Sequence, residues 1–444
     1  MSPRISEVDL LVVGAGMAGL SAATRALQYG ASVIVVEKAP VAGGSASYAG
    51  FIWTAPSVEV MREVNSKADP ELSSKLAEDY AQAMDWVRSL RIEVKPPVSV
   101  LGFGRGCQTD VANLLLTFQR RVREGGELLL EARTERLLIE GGRVCGAEIA
   151  TQSGEARVIR ARATLLATGG FGGDPELRAE HIHPQARNVP LRANRYSTGD
   201  GLRLGLSAGA LLGQDNAGFY GHVIPSQIPF EDPDEFVALS FYHSEHSVLL
   251  NLKGRRFCDE TIGDHLTTMA LLEQPEARAL MIYDRRVHDD WMMQPYVEGA
   301  EPCDRFQLAY RRGARCAVTD RLEDFGDLPE EWGYPGPDVL HSLLEYNASC
   351  MSDGLHTPPR TLDTEPLTRP PFYVIEVIPA MTFTFQGLLI DRHARVLSAH
   401  GKPIPGLLAA GADSGGVFNR AYAGGLANAL VFGLQAAATA AGKP

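Results

Sequence analysis

The chain has 444 residues, a length for which roughly two or three domains are expected. No apolar run approaches the ~20 residues that cross a bilayer, and a net charge of −12 disfavours nucleic acid, because binding phosphates needs a basic face. The first residues lack the basic flank and apolar core of a secretory signal, and the six cysteines are scattered without a CxxC pair or clustered histidines. We therefore expect a cytoplasmic protein with reduced thiols, no membrane span and no metal site.

The first predicted strand and helix enclose a glycine motif. Residues 9–13 read as a buried strand that runs into Gly14-Ala15-Gly16-Met17-Ala18-Gly19, a helix is predicted over residues 20–29, and a second strand, 33–36, ends at Glu37. In such a motif the first glycine permits a tight turn, the second lets the backbone approach a pyrophosphate, and the third lets the helix pack on the strand. The acid accepts hydrogen bonds from ribose hydroxyls. The motif predicts a dinucleotide cofactor and by itself admits NAD, NADP or FAD.

Further along, apolar periodicity and glycine turns predict a mixed α/β chain. Helices are predicted over 70–90 and 113–123, and strands over 127–130, 134–139, 143–150 and 157–166, the last running into Ala167-Thr168-Gly169-Gly170. From 222 to 370 glycine turns become rare and helices are predicted over 266–273 and 339–349. Glycine-rich strands return at 387–391 and 406–411, followed by a small-residue helix over 424–441. The nucleotide domain is therefore expected to be assembled from both ends of the chain.

Taken together, these segments resemble the fumarate reductase, succinate dehydrogenase and 3-ketosteroid dehydrogenase flavoprotein family over nearly the whole chain. The landmarks are residues 14–19, Glu37, 42–45, 167–170, 254–257 with Asp259 and Glu260, and 403–433. The resemblance implies an α/β fold with a doubly wound, Rossmann-like FAD-binding domain, discontinuous at 1–221 and 371–444. An α+β capping and substrate domain would be inserted at 222–370.

The same resemblance implies FAD, held without a covalent bond because no histidine stands near Ser45. Residues 14–19 and Glu37 would hold the ADP half, 43–45 would lie along the pyrophosphate and flavin, and Asp413 would meet the ribityl chain. A helix beginning at Gly425 would stabilise a reduced, anionic flavin with its free N–H groups. The residues expected to bind the cofactor are Gly14, Gly16, Ala18, Gly19, Glu37, Lys38, Gly43, Gly44, Ser45, Thr168, Gly169, Gly411, Asp413, Gly425, Leu426 and Asn428.

The chain departs from the family's fumarate reductases at three positions that handle acids. Those enzymes carry an arginine shortly after the acidic pair at Asp259 and Glu260, and residues 259–265 contain none. They carry a histidine in a His-Thr-x-Gly-Gly segment, where residues 382–387 read Thr-Phe-Thr-Phe-Gln-Gly. An arginine two positions before their last Gly-Gly binds a carboxylate, and here that position is Tyr422. These departures argue against a dicarboxylate reductase.

The segment with a tyrosine before the last glycines resembles the corresponding segment of the ketosteroid dehydrogenase branch. In that branch a phenol and a glycine N–H polarise a ketone. Such donors stabilise the enolate that forms when an α proton is removed. The base would come from the inserted domain, where Asp264 and His265 are favoured and Tyr242 is a further candidate. A histidine there is about as often a solvated loop residue. The segment Arg255-Arg256-Phe257 is expected to form internal ion pairs with Glu260.

We therefore expect an FAD-dependent dehydrogenase acting on a CH–CH group, which forms a C=C bond next to a ketone by α-proton abstraction and hydride transfer to flavin N5. Gly425, Thr382, Phe383 and Arg420 are the expected substrate contacts. Two alternatives stay open. One is an enone or enoate reductase or a dehydrogenase of a small, tricarballylate-like carboxylate, with Arg420 on the carboxylate, and the other is an electron-transfer flavoprotein subunit. The expected partners are a small-molecule substrate and an external electron acceptor.

Overall fold

The computed structural model describes residues 4–443 except for 101, 153, 155, 214–216, 231–232, 296–300 and 353–354. The helices are α1 (Met17–Gln28), α2 (Val58–Val64), α3 (Pro70–Ser89), α4 (Val111–Gly125), α5 (Pro175–His181), α6 (Asp200–Ser207), α7 (Pro233–Leu239), α8 (Asp264–Leu272), α9 (Arg285–Val287), α10 (Arg305–Arg311), α11 (Gly336–Met351) and α12 (Gly425–Ala440). The strands are β1 (Arg4–Val13), β2 (Val33–Val36), β3 (Phe51–Thr54), β4 (Val94–Val100), β5 (Gly104–Thr109), β6 (Glu127–Leu129), β7 (Ala132–Glu140), β8 (Arg143–Thr151), β9 (Ala156–Leu166), β10 (Phe219–Pro225), β11 (Val248–Asn251), β12 (Ala279–Asp284), β13 (Cys316–Thr319), β14 (Phe372–Thr384), β15 (Leu388–Leu389), β16 (Arg395–Leu397), β17 (Pro403–Ala409) and β18 (Ser414–Gly415).

The chain divides into two compact units. The first comprises Met1–Ile182, Ala193–Phe219 and Phe383–Pro444, and the second comprises His183–Arg192 and Tyr220–Thr382. From the sequence, residues 222–370 were expected to form the inserted domain. The second unit is larger than this prediction, because it also contains most of β14 and residues 183–192.

A largely parallel sheet forms the centre of the first unit, in the strand order β16-β17-β9-β1-β2-β6 with β7 and β8 continuing from β9. Strands β17, β9, β1, β2 and β6 run parallel, and Val13 lies in register with both Val36 and Leu166. Their carboxyl ends therefore meet at one edge, where parallel α/β sheets bind ligands. This doubly wound α/β arrangement confirms the fold class predicted from the sequence.

Helices α1 and α12 pack together through small residues. A Cβ on Gly433 would lie 2.5 Å from Ser21 Oγ and 2.7 Å from the carbonyl oxygen of Ala18, so only glycine allows this approach. The six helices predicted from the sequence correspond to α1, α3, α4, α8, α11 and α12, and the six other α-helices of the described chain were not predicted. Among the predicted helices, α3 begins where Asp69 accepts hydrogen bonds from the N–H groups of Glu71 (2.9 Å) and Leu72 (3.1 Å), with Pro70 in its first turn.

A small antiparallel sheet in the order β3-β5-β4 belongs to the first unit and carries Trp53. Cβ atoms on Gly104 and Gly106 would lie 2.5 Å and 2.0 Å from side-chain atoms of Trp53. We call Gly104 and Gly106 the glycine seat, because their missing side chains leave the room that Trp53 occupies. Trp53 is 6% exposed.

The second unit is an α+β body built on a sheet in the order β10-β14-β12-β11, with β13 also paired to β14. Strand β12 is buried along its whole length, and Leu280, Met281, Ile282 and Tyr283 are fully inaccessible to solvent. Glu260 is also fully buried, and it accepts hydrogen bonds from Arg256 at 2.6 and 2.9 Å and from Arg360 at 3.1 Å. Of the two arginines predicted to pair with Glu260, Arg256 forms the ion pair and Arg255 is exposed. No helix in the described part of the chain combines the length and apolar character needed to cross a bilayer.

Candidate active site

The glycine motif lies at the carboxyl edge of the parallel sheet. Gly14 follows β1 with φ +107°, and a Cβ on it would lie 2.2 Å from the carbonyl oxygen of Ala167. A Cβ on Gly19 would lie 1.9 Å from the oxygen of Gly14, so both glycines are required by the chain's own packing. Gly16 differs, because its Cβ would meet no protein atom closer than 3.9 Å. The space beside Gly16 therefore remains open in front of the N-terminus of α1, which has no side-chain cap.

The second glycine turn packs against the first. Gly43 donates its N–H to the oxygen of Ala15 at 2.8 Å, and a Cβ on Gly44 would lie 3.3 Å from the Cα of Gly16. Ser45 Oγ accepts the N–H of Asn194 at 3.0 Å, a partner that nothing in the sequence indicated. The structure thus brings Gly16, Gly43 and Gly44 together at one edge.

The two residues after β2 are held by the protein itself. Glu37 is buried, and its two carboxylate oxygens accept the N–H groups of Ala15 and Ala39, each at 2.8 Å. Lys38 binds Thr198 Oγ1 at 2.7 Å and Asp200 at 2.5 Å. Glu37 therefore fixes the glycine turn, and it can accept a ribose hydroxyl only through its remaining lone pairs.

Asp413 connects the turn after β9 to the turn after β17. Its carboxylate accepts from the N–H and hydroxyl of Thr168 at 2.5 and 2.9 Å and from the N–H of Gly170 at 2.9 Å. Burial raises the pKa of Asp413, and these hydrogen bonds only partly oppose it. Gly169 is exposed at this turn, whereas Gly411 approaches Ala18, since its Cβ would lie 3.1 Å from that side chain.

Helix α12 begins at the same edge. Its N-cap, Gly424, has φ +94°, and a Cβ there would lie 1.7 Å from the oxygen of Trp53. Gly425 opens the helix without a side-chain cap, and Leu426 is partly exposed beside it. Asn428 donates to the oxygen of Gly411 at 3.2 Å, while its own side-chain oxygen is buried with no hydrogen-bond partner among the described residues. The first turn of α12 therefore offers N–H groups and one unused acceptor.

The predicted enolate-stabilising residues lie together in the first unit. A Cβ on Gly425 would lie 3.0 Å from the hydroxyl oxygen of Tyr422, so the phenol reaches the start of α12. The ring of Tyr422 lies among aromatic rings at centroid distances of 5.4 to 6.4 Å. We call this group the aromatic wall, and its members are Trp53, Phe383, Phe385, Phe418 and Tyr422.

The remaining predicted substrate contacts differ in exposure. Phe383 is a member of the aromatic wall, and Thr382 is partly buried, with a hydroxyl that has no partner in the part of the chain that the structure describes. Arg420 is exposed and adopts φ +68°, with its N–H bonded to the oxygen of Ala217 at 2.8 Å. Of this set, Phe383 and Gly425 lie beside Tyr422.

The base candidates of the second unit are buried. Asp264 accepts a short hydrogen bond from Nδ1 of His222. Burial lowers the pKa of His265 to about 4. Tyr242 lies 4.7 Å from His222 between ring centroids. No local sequence pattern connects His222 to Asp264.

A family model described as "FAD binding domain" (FAD_binding_2) matches residues 9–428, and the chain belongs to this family. The probable fumarate reductase Ifc3 of Shewanella frigidimarina (strain NCIMB 400) is 28% identical over 464 residues, covering 98% of this chain and 74% of that protein. Vinyl phenol reductase of Lactiplantibacillus plantarum (strain ATCC BAA-793 / NCIMB 8826 / WCFS1) is 26% identical, covering 93% of this chain and 91% of that protein.

Solved structures agree on the fold. The open conformation of a flavocytochrome c3 fumarate reductase has a TM-score of 0.73 at 25% identity, covering 99% of this chain and 79% of that one. The 3-ketosteroid-Δ4-(5α)-dehydrogenase from Rhodococcus jostii RHA1 has a TM-score of 0.78 at 20% identity, covering 99% and 100%. The protein is an FAD-dependent oxidoreductase acting on CH–CH groups. Two features fit such a cofactor. The space beside Gly16 lets a ligand approach the backbone, and the buried side-chain oxygen of Asn428 has no hydrogen-bond partner among the described residues.

Proposed function

We propose that the protein forms a C=C bond next to the carbonyl of a cyclic, ketosteroid-like ketone. The observation that carries this proposal is the Tyr422 hydroxyl beside Gly425 within the aromatic wall. Removal of an α proton places negative charge on the ketone oxygen, and two preorganised donors in a dry site stabilise that charge. Tyr422 supplies an O–H donor, and Gly425 supplies an N–H that has no partner within its helix.

We assign the ADP half of the cofactor to the glycine motif and Glu37, and the flavin end to Gly44, Ser45 and the first turn of α12. Bound FAD supplies the acceptor for the hydride that leaves the β carbon, and an external acceptor then takes the electrons. The glycines and the N-terminus of α12 hold negative groups with backbone N–H donors. The second unit is the proposed substrate domain.

The aromatic wall supports a ring-shaped substrate over a small dicarboxylate. Aromatic faces bury flat apolar surface and form no charge-assisted hydrogen bond to a carboxylate. The wall has no cationic member, and Arg420, the predicted carboxylate ligand, is exposed. A carboxylate dehydrogenase would need a cation at this position.

A second candidate is the reduction of a C=C bond conjugated to an aromatic ring. It is supported by the similarity to vinyl phenol reductase, whose name implies an aromatic substrate. The aromatic wall suits this substrate as well, so the two candidates differ in the direction of the redox reaction and in the group conjugated to the C=C bond.

Anaerobic titration of the holoenzyme separates these candidates. Saturated cyclic ketones should bleach the oxidised flavin absorbance, and Tyr422→Phe should slow this bleaching strongly while Arg420→Ala leaves it nearly unchanged. If vinyl phenols reoxidise the reduced flavin and ketones do not bleach the oxidised form, the second candidate replaces the first. If only carboxylates bleach the flavin and Arg420→Ala abolishes this, both are wrong.

A further inference from the structure

The segment that carries Tyr422 runs from residue 419 to the start of α12. We call residues 419–424 the tyrosine loop. It contains no helix or strand, and all of its residues except Arg420 and Tyr422 are buried. A buried loop has to bond its backbone N–H and C=O groups to other parts of the chain. The partners of these groups therefore determine where Tyr422 lies.

Thr54, the last residue of β3, holds the end of the loop that leads into α12. Its hydroxyl donates to the carbonyl oxygen of Ala423 at 2.9 Å, the only hydrogen bond that this oxygen receives from the described residues. Thr54 is 1% exposed and Ala423 is fully buried, so water cannot take the place of the hydroxyl. The neighbouring Trp53 packs its carbonyl oxygen against Gly424 and its ring against Tyr422.

Asn65, directly after α2, holds the opposite end of the loop. Its Oδ1 accepts the N–H of Asn419 at 2.8 Å, and its Nδ2 lies 3.6 Å from the sulfur of Met61. The side chain is therefore held at both polar atoms, and Asn65 is 2% exposed. Because α2 follows β3 along the chain, one stretch of the first unit bonds to both ends of the tyrosine loop.

Tyr422 lies between these two anchors, three residues before the first residue of α12. A Cβ on Gly425 would lie 3.0 Å from its hydroxyl oxygen, so the phenol and the start of the helix are neighbours. A donor to an oxyanion is effective only when it is held within about 0.5 Å of its productive position. We propose that Thr54 and Asn65 are positioning residues for the phenol of Tyr422. This inference rests on the proposed ketone chemistry and names the groups that keep its O–H donor in place.

The test is a double-mutant cycle, read as the limiting rate of anaerobic flavin reduction in the holoenzyme by a saturated cyclic ketone. Thr54→Val keeps the shape of the side chain and removes its hydroxyl. It should lower the rate about 10- to 100-fold, because displacing a catalytic group by ~1 Å costs up to about 10²-fold. In a Tyr422→Phe background the same change should alter the rate by less than about twofold, since no phenol remains to be misplaced. Thr54→Ser, which keeps the donor, should remain close to the wild type.

Thr109→Val is the matched control. Thr109 on β5 belongs to the same small sheet and is 4% exposed, but its hydroxyl donates to Cys107 within its own strand at 3.1 Å. Its loss should leave the rate near that of the wild type, whatever the change in melting temperature. Asn65→Ala tests the other anchor, and it should lower the rate only in the presence of the phenol.

A second readout does not depend on the ketone. In holoenzyme labelled with 3-fluorotyrosine, the 19F signal of residue 422 is assigned by its loss in Tyr422→Phe. We expect one sharp line in the wild type, in Thr54→Ser and in Thr109→Val. In Thr54→Val and Asn65→Ala the line should broaden or divide, because the phenol then occupies more than one position.

The outcomes distinguish the two proposals. A Thr54→Val rate equal to that of the wild type, or a loss of the same size in the Tyr422→Phe background, overturns the positioning role. An unchanged 19F line in both Thr54→Val and Asn65→Ala overturns it as well. If the line divides while no ketone reduces the wild-type flavin, the anchors hold the phenol and the ketone chemistry is wrong.

Discussion

Replacing Tyr422 by phenylalanine removes one hydroxyl and keeps the ring. The ring contacts with Trp53 at 5.4 Å and Phe383 at 5.8 Å remain possible, so the aromatic wall should stay packed. The lost hydrogen bond should cost no more than about 0.5–1.5 kcal/mol of stability. Loss of one preorganised donor to an oxyanion lowers turnover about 10²- to 10³-fold, equivalent to roughly 2.7–4 kcal/mol. The effect on rate should therefore greatly exceed the effect on stability.

The assay is stopped-flow anaerobic reduction of the bound flavin by a saturated cyclic ketone, with unfolding measured by urea titration. Tyr310→Phe is the matched control, because Tyr310 is 62% exposed and lies outside the aromatic wall. A Tyr422→Phe rate within threefold of the wild type would refute the role of this phenol. A rate loss accompanied by an equally large loss of stability would indicate a packing role instead.

Three further predictions concern the cofactor and the fold. Gly16→Ala should fold normally and bind FAD more weakly, whereas Gly19→Ala should lower the melting temperature because its Cβ would lie 1.9 Å from a carbonyl oxygen; FAD titration and thermal melting distinguish them. Glu260→Gln should cost about 3–5 kcal/mol in urea unfolding because it leaves two buried arginines without a charge partner, while Glu323→Gln in an exposed pair should cost less than about 1 kcal/mol. The pKa of His265 is about 4 in the folded chain and about 6.5 in the unfolded chain, so the unfolded chain binds more protons than the folded chain between pH 6.5 and 4. Unfolding free energy should fall on acidification by up to ~3 kcal/mol, and a His265→Gln variant with the same pH slope as the wild type would contradict this.

Local patterns predicted the cofactor edge well. The strand, glycine turn and acid from β1 to Glu37 are adjacent in sequence, and the helix predicted over 70–90 matches α3, which Asp69 caps. Such features depend on backbone dihedral angles and helix capping, and the residues that determine them lie within a short stretch of sequence. The predicted second strand matches β2, Val33–Val36.

Contacts between distant segments were not predictable in this way. His222 and Asp264 are 42 residues apart, and Arg360 reaches Glu260 from 100 residues away. Neither pair has a sequence signature, because tertiary packing rather than periodicity brings the partners together. Trp53 likewise belongs to a short apolar run with no motif, and only the fold places its ring beside Tyr422 at 5.4 Å.

The glycine seat under Trp53 links two positions that are far apart in sequence. A Cβ on Gly106 would lie 2.0 Å from the Cβ of Trp53 and 2.5 Å from its Cα, so position 106 requires glycine whatever the size of residue 53. A Cβ on Gly104, in contrast, would meet the indole ring itself at 2.5 Å. The indole of Trp53 in turn forms one side of the aromatic wall. Changes at 53 and 104 should therefore occur jointly during divergence. A concerted exchange at these positions would reshape the wall beside Tyr422 while leaving the hydroxyl and the first turn of α12 in place, which offers a route to new substrates.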